Sequence, residues 1–186
     1  MLEDSVPFPS VTRVLEAACF AAQRHAHQRR KGMEHEPYIN HLLEVAALLA
    51  EGTDPVDVNL VIAGLLHDVI EDAGTTREEV SIRFGEDVAS LVMEVTDDKN
   101  LPKEVRKDLQ VQCAPYKSPR AQKLKAADKI SNLRSLMASP PADWSEARRA
   151  EYVTWARRVI DGCDSLDGFL KEEFYRTHAE CAGQMG

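Results

Sequence analysis

Apolar residues recur along this chain at spacings of three, four and seven, and nowhere with the sustained two-residue alternation of a half-buried strand. The pattern predicts an all-α protein. Val11, Val14, Leu15, Ala18 and Ala22 set out the buried stripe of a first helix over about residues 10–30, with Cys19 expected in the core beside them. A second helix begins near Tyr38, where Ile39, Leu42, Leu43, Ala46 and Leu49 mark one face and Val45, Ala47 and Leu48 widen it until most sides are apolar. His41 is nearly its only polar interior residue. Thr53-Asp54-Pro55 offers an N-cap and a first-turn proline for a third helix that ends before Gly74.

Beyond it, Thr75 with Glu78 and Thr76 with Glu79 are alternative capping boxes for a short helix. Val88, Leu91, Val92 and Val95 form the next stripe, residues 97–100 a loop, and Pro102 opens another helix. Ser118-Pro119 starts a long helix with Ala126, Ile130, Leu133 and Met137 on one face, and Ser139-Pro140-Pro141 stops it. Helices over about residues 145–161 and 164–182 complete the pattern. No repeat, low-complexity tract or linker divides it, so residues 1–186 are expected to form one domain with its core over about 10–161.

The third helix carries an anomaly. Beside Val61, Ile62, Leu65 and Leu66 stand His67, Asp68, Glu71 and Asp72. Residues four apart share a helix face, which puts Glu71 over His67 and Asp72 over Asp68. Unpaired charge in such company costs several kcal/mol, a cost that a bound cation removes; the alternative is a helix end emerging into water. Asp128, with Asn132 one turn beyond it, and His41 supply the same chemistry from two other helices. His41, His67, Asp68 and Asp128 make a mixed nitrogen and oxygen donor set without thiolate, suited to Mn²⁺ or Fe²⁺, and also to zinc, with positions open for water and substrate.

A net charge of -8 argues against general affinity for nucleic acid or anionic membranes. Against it stand two basic groups, Arg29-Arg30-Lys31 and the set Lys123, Lys125, Lys129 and Arg134. They suit either a small, highly charged anion or a solvated helix face. Cys19, Cys113, Cys163 and Cys181 are dispersed and read as reduced thiols. The N-terminal residues lack a signal-peptide pattern, and no apolar run approaches the about 20 residues that a bilayer requires, so the cytoplasm is the expected address.

The order His, then His-Asp, then a distant Asp is the signature of the HD-domain metal phosphohydrolases. The segments Arg29-Arg30-Lys31, Glu36-Pro37-Tyr38-Ile39-Asn40-His41, Leu65-Leu66-His67-Asp68-Val69-Ile70-Glu71-Asp72, Val95-Thr96-Asp97-Asp98-Lys99 and Ala127-Asp128-Lys129-Ile130-Ser131-Asn132-Leu133-Arg134 resemble the hydrolase domain of the RelA/SpoT homologues, its stand-alone small alarmone hydrolases above all. The likeness runs in register from about Leu15 to Ile160.

That resemblance implies an all-α HD bundle with a metal site in its core. The implied reaction removes the 3′-pyrophosphate of (p)ppGpp with Mn²⁺, leaving GDP or GTP and pyrophosphate. Carried over by position, His41, His67, Asp68 and Asp128 are the metal ligands and Glu71 and Asp72 the catalytic acids. Arg30, Lys31, Asn132, Arg148 and Tyr152 face the nucleotide, the one partner expected. The chain departs from the family at Leu42, often a proline, and in the loop Gly32-Met33-Glu34-His35-Glu36 beside the expected base pocket. The alternatives are an HD-fold phosphohydrolase acting on (p)ppApp, NADPH or another nucleotide, and a non-catalytic nucleotide-binding protein.

Overall fold

The computed structural model describes residues 8–184; the acidic N-terminal residues read above for a leader pattern lie outside this range. Ten α-helices make up the described residues: α1 (Phe8–Arg24), α2 (Ile39–Glu51), α3 (Val58–Leu66), α4 (Val69–Ala73), α5 (Arg77–Phe84), α6 (Glu86–Val95), α7 (Lys103–Cys113), α8 (Pro119–Ala138), α9 (Glu146–Asp161) and α10 (Gly168–Gly183). A single 3₁₀ turn, Ala114–Tyr116, joins α7 to α8. No strand occurs among them, as the hydrophobic period predicts.

The centre of the bundle is α3, because its sequence is apolar on every side and can be satisfied only by complete burial. Leu60 through Leu66 are all buried, and α1, α2, α6 and α8 pack around the helix. Gly64 lets α2 come close. A Cβ there would lie 2.6 Å from Leu49 Cδ1 and 3.4 Å from the Ala46 Cα. The long α8 forms the second spine, against α2, α6, α9 and α10. Two polar positions on these spines, His41 on α2 and Asp128 on α8, are thereby carried to the C-terminal end of α3.

Helix starts follow local chemistry. Ser118 and Ser145 cap α8 and α9 by accepting from the backbone N–H groups of Ala121 and Arg148, and of the two overlapping boxes Thr76 is the one used, accepting from Glu79 N–H. The third helix starts later than its proline suggests. Asp57 is the N-cap, accepting from Leu60 N–H at 3.0 Å, while Thr53 instead closes α2 by donating to the Leu49 carbonyl at 2.8 Å.

Tertiary packing overrides the sequence in three places. First, α1 ends at Arg24, and residues 28–37 form a loop closed by an isolated bridge between Arg29 and Pro37, so Arg29-Arg30-Lys31 stand on a loop and not on a helix. Second, α1 is rotated from its expected stripe. Phe20 turns inward onto Phe84, with ring centroids 5.4 Å apart; Ala17 and Ala21 are buried with it, and Val11, Leu15 and Cys19 are left exposed. Leu43 of α2 is likewise exposed. Third, the anomalous helix is broken at His67-Asp68 into α3 and α4.

The α2–α3 seam is directly testable. Gly64→Val places a branched side chain where Leu49 already sits, so the variant is expected to lose about 1–3 kcal/mol of stability. The measurement is the urea midpoint; an unchanged midpoint would show that the seam is looser than the packing distances say.

Candidate active site

The break after α3 matters because it aims His67 at His41. Their ring centroids are 5.3 Å apart, and both Nε2 atoms and a carboxylate oxygen of Asp128 lie within 4.8 Å of one another. Asp68 joins them, its Oδ2 standing 3.1 Å from His67 Nε2 and 3.9 Å from His41 Nε2, while Asp128 Oδ1 is 3.4 Å from His41 Nε2. The structure thus brings the four predicted ligands together from two helices, α2 and α8, and the α3–α4 junction.

Each imidazole is held by its other nitrogen. His67 Nδ1–H donates to the Gly64 carbonyl at 2.8 Å. His41 Nδ1–H donates to Ser131 Oγ at 2.8 Å, because the Ser131 hydroxyl spends its own proton on Glu44 Oε2 at 2.6 Å. The relay continues through Arg134, which binds Glu44 at 2.8 Å and also pairs with Glu173 of α10. Such partners fix tautomer and ring orientation in metal-ligating histidines, leaving Nε2 for the ion. His67 Nε2 is in fact buried with no hydrogen-bond partner, although Asp68 faces it. A buried imidazole nitrogen that makes no regular hydrogen bond and faces two carboxylates and a second imidazole fits a divalent cation, or, where no ion is bound, a proton attracted by Asp68.

The carboxylates are supported in the same way. Tyr38 Oη donates to Asp68 Oδ2 at 2.6 Å; Asp128 accepts from Lys129 Nζ at 2.9 Å and from Asn132 Nδ2 at 2.6 Å. Burial pushes both carboxyls up, but His67 overrides it at Asp68, and Lys129 with the two imidazoles overrides it at Asp128, so both stay ionised well below the usual range. Burial alone would strip the proton from His67, yet the Asp68 carboxylate reverses this and raises its pKa to about 9. His41 is lowered by burial and stays neutral. Without an ion, the cluster holds its proton on His67.

In front of the cluster opens a cavity of about 890 Å³. Glu71, Asp72, Arg30, Lys31, Asn132, Arg148 and Tyr152 all line it, and Tyr38 and Asn132 connect it to Asp68 and Asp128 behind. Arg30 donates to Asn132 Oδ1 at 2.9 Å, Arg148 lies 4.6 Å over the Trp144 ring, and Tyr152 sits between Trp144 and Trp155.

The two acids differ from their expected placement over His67 and Asp68, since the helix break lets their side chains turn to the 97–99 loop. Glu71 accepts from Asp97 N–H at 3.1 Å and pairs with Arg106 at 3.5 Å; Asp72 accepts from Gln28 at 3.2 Å and pairs with Lys99. Burial pushes the Glu71 carboxyl up.

Sequence reasoning missed one wall. Lys99 and, from α7, Lys103, Arg106 and Lys107 line the same cavity. The signal was available as a polar stripe, since Lys103, Arg106, Lys107 and Gln110 recur at helical spacing on a helix with no buried residue. The basic set Lys123, Lys125, Lys129 and Arg134 is not an anion patch. Lys125 is buried and donates to the Val95 carbonyl at 2.9 Å, Lys129 serves Asp128, Arg134 serves Glu44 and Glu173, and Lys123 lies 3.8 Å from Asp167.

A family model described as "HD domain" matches residues 17–157. The chain belongs to the HD domain family. Among curated relatives it is 49% identical over 160 residues to the human guanosine-3′,5′-bis(diphosphate) 3′-pyrophosphohydrolase MESH1, covering 86% of this chain and 89% of that one. To the protein of the same name from Xenopus tropicalis it is 48% identical over 158 residues, covering 85% and 88%. A solved structure described as a metazoan ortholog of SpoT that hydrolyzes ppGpp superposes with a TM-score of 0.88 at 38% identity, over 95% of this chain and 97% of that one. An HD-domain hydrolase implies a divalent metal, and the buried cluster is a candidate site for it. Among the described residues no helix is long and apolar enough to cross a membrane.

The proton on His67 gives a test that needs no metal. Its folded pKa of about 9 lies above the ordinary 6.5, so the stability it contributes is fully present below pH 6.5 and is lost as pH rises through 9. In metal-free protein, imidazole NMR should find His67 protonated at pH 7 and His41 neutral. Asp68→Asn removes the cause and should lower the His67 pKa by about a unit or more; an unmoved titration would refute the pairing.

Proposed function

We propose that this protein is a metal-dependent pyrophosphohydrolase that removes the 3′-pyrophosphate of (p)ppGpp, releasing pyrophosphate and GDP or GTP. The reading is carried by one observation: the buried histidine and aspartate cluster is joined through Tyr38 and Asn132 to a single cavity that holds both an acid pair and a cationic wall. It is supported by the names of relatives that match most of the chain.

His41, His67, Asp68 and Asp128 would hold the ion, Mn²⁺ in this reading, which when bound supplies Lewis acidity at the phosphorus attached to the ribose 3′ oxygen. Glu71 and Asp72 orient the attacking water and accept its proton. Asp97 N–H and Arg106 hold Glu71 for this, while burial raises its basicity. Arg30, Lys31, Asn132, Arg148 and Tyr152 bind the nucleotide, the arginines by planar paired contacts to phosphate. Lys99, Lys103 and Lys107 enlarge the positive surface to match a substrate with phosphates at both 3′ and 5′ positions.

Incubation of the Mn²⁺-loaded protein with ppGpp, followed by anion-exchange chromatography, tests the reading. GDP and pyrophosphate are expected; orthophosphate alone would sink the assignment in favour of a generic phosphatase. A second measurement separates chemistry from binding. Glu71→Gln with Asp72→Asn keeps shape and removes charge, so bound metal should stay while turnover falls by about 10² or more. Near-normal turnover with full metal content would make both acids bystanders.

A further inference from the structure

Asp72 is held by two partners of different kinds, one on each carboxylate oxygen. Lys99 pairs with Oδ1, and Gln28 Nε2 donates to Oδ2 at 3.2 Å. Gln28 belongs to the loop after α1 that also carries Arg30 and Lys31, but no role has been assigned to Gln28 itself. Its other amide atom, Oε1, lies 2.6 Å from His25 Nδ1.

The chemistry of the three groups fixes the direction of both bonds. A carboxylate only accepts, so the amide must present its NH₂ to Asp72 and therefore its oxygen to His25. An oxygen acceptor at that distance requires the proton on His25 Nδ1. The imidazole cannot drift, because it is only 2% exposed and stacks on Tyr38 at 5.1 Å between centroids. Its Nε2 is buried without a hydrogen-bond partner, so the contact to Gln28 is the polar bond that the ring makes. The Gln28 backbone is pinned as well, donating to the His25 carbonyl at 2.9 Å and accepting from Tyr38 N–H at 3.1 Å. A long polar side chain lining an open cavity is thus held at both ends of its amide, on a backbone that is itself fixed by two hydrogen bonds.

The two supports of Asp72 respond differently to an anion. Lys99 is about half exposed, on a loop that lines the cavity, and its charge is attracted to any phosphate that enters. The neutral amide is not. An arriving phosphate that draws Lys99 away frees Oδ1, while Gln28 keeps Oδ2 in place.

We propose that Gln28, anchored by His25, is a positioning residue that holds the Asp72 carboxylate in its working orientation once Lys99 turns to the substrate. This rests on the reading in which Asp72 acts on the attacking water. Gln28→Met keeps the length and removes both hydrogen bonds. With the full-length Mn²⁺-loaded protein and ppGpp, kcat should fall about tenfold while KM stays within about twofold and metal content is unchanged. His25→Phe keeps the stacking surface on Tyr38 and should show the same signature. Gln28→Asn keeps the amide but is one methylene too short to span both partners, and should also lose kcat; it carries the test where the methionine variant does not fold.

The deciding comparison is made on Asp72→Asn. If Gln28 acts through Asp72, adding Gln28→Met there should cause no further loss. A loss that multiplies in full, a change confined to KM, or normal kcat in both Gln28 variants overturns the proposal. Asp72→Asn with normal turnover defeats the underlying role of Asp72 and this inference with it, whereas an impaired Asp72→Asn beside a normal Gln28→Met defeats the inference alone.

Discussion

Everything in this fold is arranged around one constraint: two buried imidazoles and two half-buried carboxylates lie within contact of each other at the meeting point of α2, α3 and α8. Groups of this kind are tolerated in a core only when each remaining donor and acceptor has a partner. The surrounding helices supply them. Close approach at Gly64 brings α2 against α3, and the same residue's carbonyl orients His67. Ser131 and Glu44 orient His41, and Arg134 extends that relay to Glu173, so the C-terminal helix is tied electrostatically to the centre of the bundle. Lys129, buried against the Trp155 ring at 4.5 Å, balances Asp128. The polar bonds that satisfy the cluster are therefore also the bonds that hold the helices in register.

This coupling explains what could be read in the chain and what could not. Helix starts were legible where a single side chain decides them, as at Ser118 and Ser145, and the period of α2, α6 and α8 was legible because those faces are long and apolar. His41, His67, Asp68 and Asp128 stood out because charge in an apolar stripe demands an explanation. The rotation of α1 was not legible, since Val11, Leu15 and Phe20 are all apolar and only the presence of Phe84 decides which of them turns inward. Nor was the break at His67-Asp68, where four-residue spacing implies a continuous helix and the tertiary site imposes a junction. The basic residues of α8 misled for a related reason. A lysine in a sequence looks solvated, but Lys125 and Lys129 extend inward, one to the Val95 carbonyl and the other to Asp128.

The charge distribution follows from the same economy. The chain carries a net charge of -8, yet its cavity gathers Arg30, Lys31, Lys99, Lys103, Arg106, Lys107 and Arg148 from three separate stretches of sequence. Such a concentration is unfavourable to itself. Partial burial lowers the pKa of Lys103, and the neighbouring Arg148 and Lys107 lower it further. A ligand with several phosphates relieves that repulsion, whereas a neutral ligand of the same size leaves it in place, so the cavity selects for charge before any base is read.

The acids in that cavity then have to be kept from cancelling the attraction. Glu71 and Asp72 are compensated one by one, the first by Arg106 and the Asp97 N–H, the second by Lys99 and Gln28. Before a substrate enters, Arg106 and Lys99 are paired with the acids, while Arg30 is held by Asn132 in a neutral contact that leaves its charge uncompensated. Asn132 also donates to Asp128, so the cation that lines the cavity and the carboxylate that faces the imidazoles share one amide. Its two ends are chemically distinct, oxygen to Arg30 and nitrogen to Asp128, and reversing it would set like against like at both. One asparagine thereby orders the boundary between the cavity and the buried cluster, with the positive charge on the outer side and the negative charge on the inner.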